Sequence, residues 1–333
     1  MVEVGKIGDK TLVLDGRYIS IFRGGKLINR WAYMGYLLPD GKAYIYRRKV
    51  HIKELSGNTL TDYQIKIVLG AGDPIFTHAR SAGEDIRFCY YPEEEMLSYW
   101  IEKYDPDAEE AIIWVKVPEI PANSEIEIFM YYGNPTVASA SDGDATFEFF
   151  DDFETDLSKW EIVLDGGTIE LSTLYAKQGK QSCRIYHAGT TASFDTYIRH
   201  DFGKVIDNIR ADAYLLHSSP QGVMELGDGD VIIIGDDANH TNWRYRLGGT
   251  FYDSGIARDT GKWHEFSLAR MGNTVKYWID GVEVDTLSGN PAPSKLVFGG
   301  FWENNIETDL FVDIVRVRKY TEPEPSVSIG AEE

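Results

Sequence analysis

Cysteine is nearly absent from this chain: there are two in 333 residues, Cys89 and Cys183. They stand 94 positions apart (183 − 89), in segments read below as different domains. No disulfide framework and no cysteine zinc site can be built from them, and a disulfide between the two is not expected. Long apolar runs are also missing. No window approaches the ~20 apolar residues that span a bilayer, which excludes a transmembrane helix from the expectation. The opening MVEVGKIGDK lacks the basic stretch and apolar core of a signal peptide, so the chain is either trimmed or not exported by that route. Positive charge is in deficit: 33 Lys and Arg against 53 Asp and Glu leave −20. Such a surface repels phosphate backbones and anionic membranes, so nucleic acid is not an expected partner. The excess carboxylates suit solubility and also divalent cations, which take hard oxygen ligands.

What is present points to β-structure. Aromatics reach 13%, with 20 tyrosines, and there are 32 glycines. Heptads and long helical periods are lacking, and the composition leans all-β. Residues 11–50 carry the turn signals LDGR, FRGGK and LPDGK between short β-prone runs, which reads as an N-terminal β-meander over 1–43. From 44 to 133, alternating or apolar runs such as YRRKVHIKEL, YQIKIVL, AIIWVKV and SEIEIFMYYG predict a β-sandwich domain ending near 150. A single turn around DPIFTHARSAGED (73–85) is the best helix candidate. The small and acidic stretch 139–160 marks a boundary. After it, about a dozen strand-like runs predict a two-sheet jelly roll over 151–333. The tail TEPEPSVSIGAEE is punctuated by proline and ends in one last strand-like piece.

Two stretches resemble known families. Residues of about 44–150 resemble the bacterial and archaeal surface-protein domain called domain-of-unknown-function family 2341. The resemblance is carried by YRRKVHI, LTDYQIKIVL, GEDIRFCY, IWVKVPEIPANSEIEIFMYYGNP and SDGDATFEFFDDFE. It implies a cell-surface setting and no settled activity. Residues of about 151–330 resemble laminin-G-like, concanavalin A-like jelly rolls. The carrier is GKWHEFSLARMGNTVKYWIDGVEV, with Trp263 opening one strand and Trp278 preceding the Asp280–Gly281 hairpin. That resemblance implies binding of glycans or proteins, and in some members catalysis. It also implies a structural calcium site joining the acidic start of the domain to its final strand. Here Asp151, Asp152, Glu154 and Asp313 would be the ligands. The acidic pairs Asp228 with Asp230 and Asp236 with Asp237 are a second candidate.

Catalytic constellations are hard to find. Retaining glycosidases need two carboxyl groups about 5–5.5 Å apart. ELGDGD offers Glu225, Asp228 and Asp230 but is broken by glycines; EIEIF offers only Glu125 and Glu127. The seven histidines show no HExxH spacing, and His264 reads as structural or exposed. The chain is therefore expected not to be an enzyme.

Binding is the stronger expectation. In VKYWIDG the period-two rule puts Val275, Tyr277 and Ile279 on one face, the natural core face. Trp278 falls on the other face with Lys276 and Asp280. NWRYRL alternates likewise, with Trp243, Tyr245 and Leu247 against Arg244 and Arg246, and GFWENN adds Trp302, Asn304 and Asn305. A flat aromatic beside amide or charged groups suits a sugar ring. The expected ligand contacts are thus Trp243, Tyr245, Trp278, Trp302, Asn304 and Asn305. NHT (239–241) is a glycosylation sequon that matters only in a glycosylating cell. The expected function is non-catalytic recognition of a glycan or surface polysaccharide, in the manner of an adhesin, at an extracellular or virion surface. The alternative is a structural component of a virion tail, spike or fibre, or a cell-surface scaffold. Its partners would be other virion or surface-layer proteins, and a homo-oligomer would suit it. A glycoside hydrolase is the third reading.

Overall fold

In the computed structural model the described residues are 2–15, 18–32, 35–90, 95–189, 196–219, 221–227, 232–237, 240–300 and 306–333. The chain is nearly all β and divides into two compact units: residues 1–146 with 325–333, and residues 147–324.

The first unit begins with the expected meander, four antiparallel strands Val2–Ile7, Lys10–Asp15, Tyr18–Arg23 and Lys26–Ala32. Gly24 and Gly25, both at positive φ, make the third turn. Two further sheets follow. One runs Glu95–Met96, Arg87–Tyr90, Glu125–Tyr132, Tyr46–Lys53, Ser326–Glu332 in spatial order. The other runs Tyr99–Asp105, Glu110–Ile120, Leu60–Leu69. Alternation dictates the core: Val50, Ile52, Ile128 and Met130 from the first sheet share one cluster with Tyr63, Ile65, Ile67, Ile113 and Val115 from the second. The turn expected at 73–85 contains a single helical turn, Ile75–His78.

The last strand departs from the expected domain order. Ser326–Glu332 pairs antiparallel with Tyr46–Lys53 in the first unit and does not belong to the jelly roll. Without it, Tyr46–Lys53 would present a bare row of N–H and C=O groups. Side chains reinforce the closure. Arg48 Nε donates to Gly330 O at 2.9 Å, and its Nη1 sits 2.6 Å from both Asp73 oxygens. The Tyr132 hydroxyl donates to Glu332 Oε2 at 2.7 Å, and His78 Nδ1 lies 2.8 Å from the same oxygen.

The second unit is a two-sheet jelly roll. The larger sheet runs Thr168–Ser172, Ser182–His187, Thr308–Lys319, Ile209–His217, Trp263–Met271, Thr274–Ile279, Val282–Ser288, with Phe149–Asp151 also pairing to Thr308–Lys319. The seven-stranded sheet runs Glu161–Val163, Thr196–Asp201, Lys295–Gly300, Gln221–Leu226, Ile232–Asp237, Asn242–Leu247, Thr250–Ala257. Between them lies one apolar cluster. Ala211, Leu215, Phe266, Val275, Tyr277 and Val312 come from the larger sheet; Ile198, Met224, Ile234, Trp243 and Phe298 come from the smaller. In Thr308–Lys319 the inward residues step from Val312 to Val315. A register shift opposite Asp212–Tyr214 supplies the extra residue, and Ile314 takes a φ of 49° there.

On the outer face of the larger sheet, Asp212 is 1% exposed. Arg210 Nε reaches its Oδ1 at 2.7 Å, and Arg316 Nε and Arg318 Nε approach its Oδ2 at 3.6 Å. The Ser267 hydroxyl donates to it at 2.6 Å. Arg316 also pairs with Glu265, and Arg318 with Glu324. The guanidinium charges hold the Asp212 carboxyl well below the usual range despite burial.

Two expected outcomes follow from these contacts. Asp212→Asn leaves three guanidiniums around a neutral amide and should cost about 3–5 kcal/mol in urea unfolding, the usual penalty for breaking a buried ion cluster. Glu332→Ala should cost about 1–3 kcal/mol, because the buried Tyr132 hydroxyl loses its acceptor. An unchanged midpoint would show that the returning strand is held by its backbone pairing alone.

Candidate functional site

The inward face of each jelly-roll strand goes to the core, so the outward faces are what remains for ligands. On the seven-stranded sheet the register lines up one row across the outer face: Glu161, Arg199, Val297, Glu225, Ile233, Arg246 and Phe251. The adjacent row holds Val163, Tyr197, Gly299, Val223, Gly235, Arg244 and Asp253. One strand, Ile232–Asp237, lies between Glu225 and Arg246, so two strand spacings put them about 10 Å apart.

The second row has a low floor. A side chain at Gly299 would meet Thr196 O and Tyr197 Cβ at 2.6 Å, and one at Gly235 would strike Gly222 O. Glu225 and Gln221, 3% and 2% exposed, are polar side chains set deep on this outward face. Tyr197, Arg244, Arg246 and Phe251 around them are partly exposed. Arg199 grips Glu161 through two 2.7 Å hydrogen bonds, which hold the Glu161 carboxyl below its ordinary value. The Arg244 and Arg246 guanidinium carbons lie 4.6 and 4.7 Å from the Phe251 ring centroid. The face therefore combines hydrogen-bonding side chains, two cations and aromatic rings.

The expected ligand contacts fall elsewhere. Trp243 is fully buried between the sheets, edge-on to Phe266 at 5.2 Å and beside His217 at 4.9 Å. Tyr245 is 5% exposed, packs on Tyr277 and donates its hydroxyl to Asp285 at 2.7 Å. Both are core residues and cannot form a sugar platform; an amphipathic strand turns its apolar side inward. Trp278 does lie opposite Val275, Tyr277 and Ile279, as period two requires. It is nevertheless 6% exposed, under the Arg210 guanidinium at 4.2 Å and against Tyr320 at 5.9 Å. Trp302, Asn304 and Asn305 lie outside the described residues, as do Asp228, Asp230 and the sequon's Asn239. The sequence reading named Arg244 and Arg246 only as the side opposite the rings, and Glu225 only as a candidate catalytic acid. The signal for the arginines was the same NWRYRL alternation, read with its aromatic side inward.

The four expected calcium ligands all accept hydrogen bonds from the chain around them. Asp151 accepts from Phe153 N at 2.9 Å and Trp160 Nε1 at 2.6 Å. Glu154 Oε1 accepts from Lys180 N and Gln181 N, Asp152 from Glu154 N. Asp313 accepts from Lys177, Gln178 and Ile314 amides. These acids tie loops to strands. Among the described residues no group of three or more His, Cys, Asp or Glu could hold a metal ion. Burial, with the Asp152 charge adding to it, pushes the Asp313 carboxyl up to about 7 despite its three amide donors. His217, fully buried, is pushed down to about 4 by desolvation, with its Nε2 3.0 Å from Gly222 O. His264 is structural: Nδ1 lies 2.7 Å from Asp280 Oδ2 and Nε2 3.0 Å from Asp259 O, which clasps the Asp280–Gly281 hairpin turn. Both cysteines are buried and outside any disulfide. Among the described residues no helix is long and apolar enough to cross a membrane.

Comparison with known proteins fits this fold. The family described as "Domain of unknown function (DUF2341)" matches residues 82–163, a shorter stretch than the resemblance suggested. No curated protein matches. Among solved structures, the cellulose-induced protein Cip1 is similar at 17% identity and a TM-score of 0.43, over 51% of this chain and 96% of that one. An endo-β-1,4-glucuronan lyase from Trichoderma reesei is similar at 14% and 0.40, over 54% and 98%. The carbohydrate-binding module CBM66 from Bacillus subtilis is similar at 11% and 0.34, over 48% and 96%. These are concanavalin-like jelly rolls; the likeness does not extend to a laminin-G assignment. They correct one expectation. The chain was expected not to be an enzyme, yet the similar structures include this lyase and a Bacillus licheniformis β-glucanase.

The raised Asp313 carboxyl has a signed consequence. Its folded value of about 7 lies above the unfolded value near 3.9, so its contribution is fully present below about pH 4 and is lost as pH rises through 7. The urea stability of the native chain should therefore fall between pH 4 and pH 8 by more than that of Asp313→Asn, whose side chain does not ionise. Equal pH dependence in the two proteins would show that Asp313 ionises without cost.

Proposed function

We propose that the jelly-roll unit binds a glycan on the outer face of its seven-stranded sheet. The binding surface runs across Thr196–Asp201, Gln221–Leu226 and Asn242–Leu247. The observation that carries this reading is the shared face itself: Tyr197, Arg244 and Arg246 stand partly exposed on it while Ile198, Trp243 and Tyr245 of the same strands fill the core. A sugar offers hydroxyls to polar side chains and C–H faces to rings, and this surface supplies both partners around a floor lowered by Gly235 and Gly299. Glu225 is the carboxylate at the centre of the row.

The test is calorimetric titration of the full chain with a panel of polysaccharides, with reducing ends and new double bonds followed in the same samples. Binding of at least one polysaccharide is expected. Tyr197→Ala and Arg246→Ala should each weaken it by about tenfold, 1.4 kcal/mol, without shifting the melting midpoint by more than a few degrees. Failure of the whole panel, or binding untouched by both variants, would remove the reading.

A further inference from the structure

We propose that the first unit carries a serine-hydrolase site on the outer face of its five-stranded sheet, acting on acyl esters borne on a polymer. Ser328 is the nucleophile, His51 the general base, and Glu127 the group that orients the base. The site belongs to a different unit from the glycan face and does not depend on it. The three residues lie on three neighbouring strands, and packing turns all of them outward. Val50 and Ile52 fill the core, so His51 between them points away from it. Ile126 and Ile128 do the same for Glu127, and Val327 and Ile329 for Ser328. Register then sets them in one row: His51 stands opposite Glu127 on one side and opposite Ser328 on the other. Side chains so paired have their Cβ atoms about 4.5–5.5 Å apart.

The imidazole is set for its part. His51 Nδ1 lies 3.2 Å from Glu127 Oε1 and 3.8 Å from Glu125 Oε1. The other Glu127 oxygen, Oε2, accepts from Lys49 Nζ at 2.8 Å, which pins the carboxylate. Carboxylates beside Nδ1 favour the proton there and leave the Nε2 lone pair as base. Nε2 faces the returning strand: a side-chain carbon built on Gly330 would sit 3.8 Å from it. The register shifts between Ile329 and Glu332, so Gly330 falls in a bulge, and its missing side chain leaves the space beside Nε2 open. Ser328 is exposed, with its staggered rotamers open to it, and catalytic hydrogen bonds of this kind tighten when substrate binds. The side chains of His51 and Glu127 are each 33% exposed. An open face of this sort suits ester groups that project from a large polymer.

In the reaction Ser328 Oγ attacks the acyl carbon while His51 Nε2 takes the hydroxyl proton. The acyl C–O bond breaks, and the proton passes to the departing alcohol oxygen. Water then attacks the acyl-Ser328 ester, giving its proton to Nε2. The acid leaves and Ser328 recovers its proton. Glu127 holds the Nδ1 proton and offsets the imidazolium charge in both halves.

The experiment follows p-nitrophenyl acetate hydrolysis by the full chain and maps, by mass spectrometry, the serine that a fluorophosphonate probe labels. Turnover above buffer and labelling at Ser328 are both expected. Ser328→Ala and His51→Gln should each lower kcat/KM by about a hundredfold. Glu127→Gln should lower kcat by about tenfold with KM unchanged, a split that a merely structural role would not produce. The labelling map uses the native chain and so decides even where a substitution disturbs folding. Absence of turnover, absence of the label on Ser328, or turnover unchanged in Ser328→Ala would overturn the proposal.

Discussion

A strand in a two-sheet sandwich has only two faces, and the core claims one of them. Everything else in the jelly roll is arranged around that constraint. In Asn242–Leu247 the core takes Trp243 and Tyr245, so Arg244 and Arg246 must point outward. Burying an indole and a phenol contributes several kcal/mol at about 25 cal/mol per Å². A one-residue slip would expose both rings and drive two guanidiniums into the interior, where each would cost several kcal/mol more. Register is therefore set by packing, and the candidate site is positioned by the same alternation that makes the core.

The two sheets use their outward faces differently. On the larger one, charges close on each other. Arg210, Arg316 and Arg318 gather around Asp212, Glu265 and Glu324 complete the set, and Lys276 is held by Glu322 at 2.6 Å. Trp278 belongs to this ensemble, under Arg210 and beside Tyr320. Such a network is costly to breach, because removing one member strands the others in a dry setting. On the seven-stranded sheet the arginines sit over an aromatic ring and remain partly exposed. Their partial exposure is the reason the binding surface is proposed on the smaller sheet.

Much of the fold was legible. The all-β class, the meander and the Asp280–Gly281 hairpin all follow from local turn chemistry and period two, which act over a few residues. Val275, Tyr277 and Ile279 were placed in the core for the same reason. The errors have one origin: they concern partners far away in sequence. VSIG reads as a strand, but nothing local says that it pairs with residues nearly 280 positions earlier. In NWRYRL the pattern shows two faces, and choosing the aromatic face as the ligand side overlooked that bulky rings are core material first. The acids at 151–154 and 313 read as metal ligands because sequence cannot show that backbone amides of 177–181 reach them. The step from Val312 to Val315 likewise needs the bulge that places Asp313 against those amides.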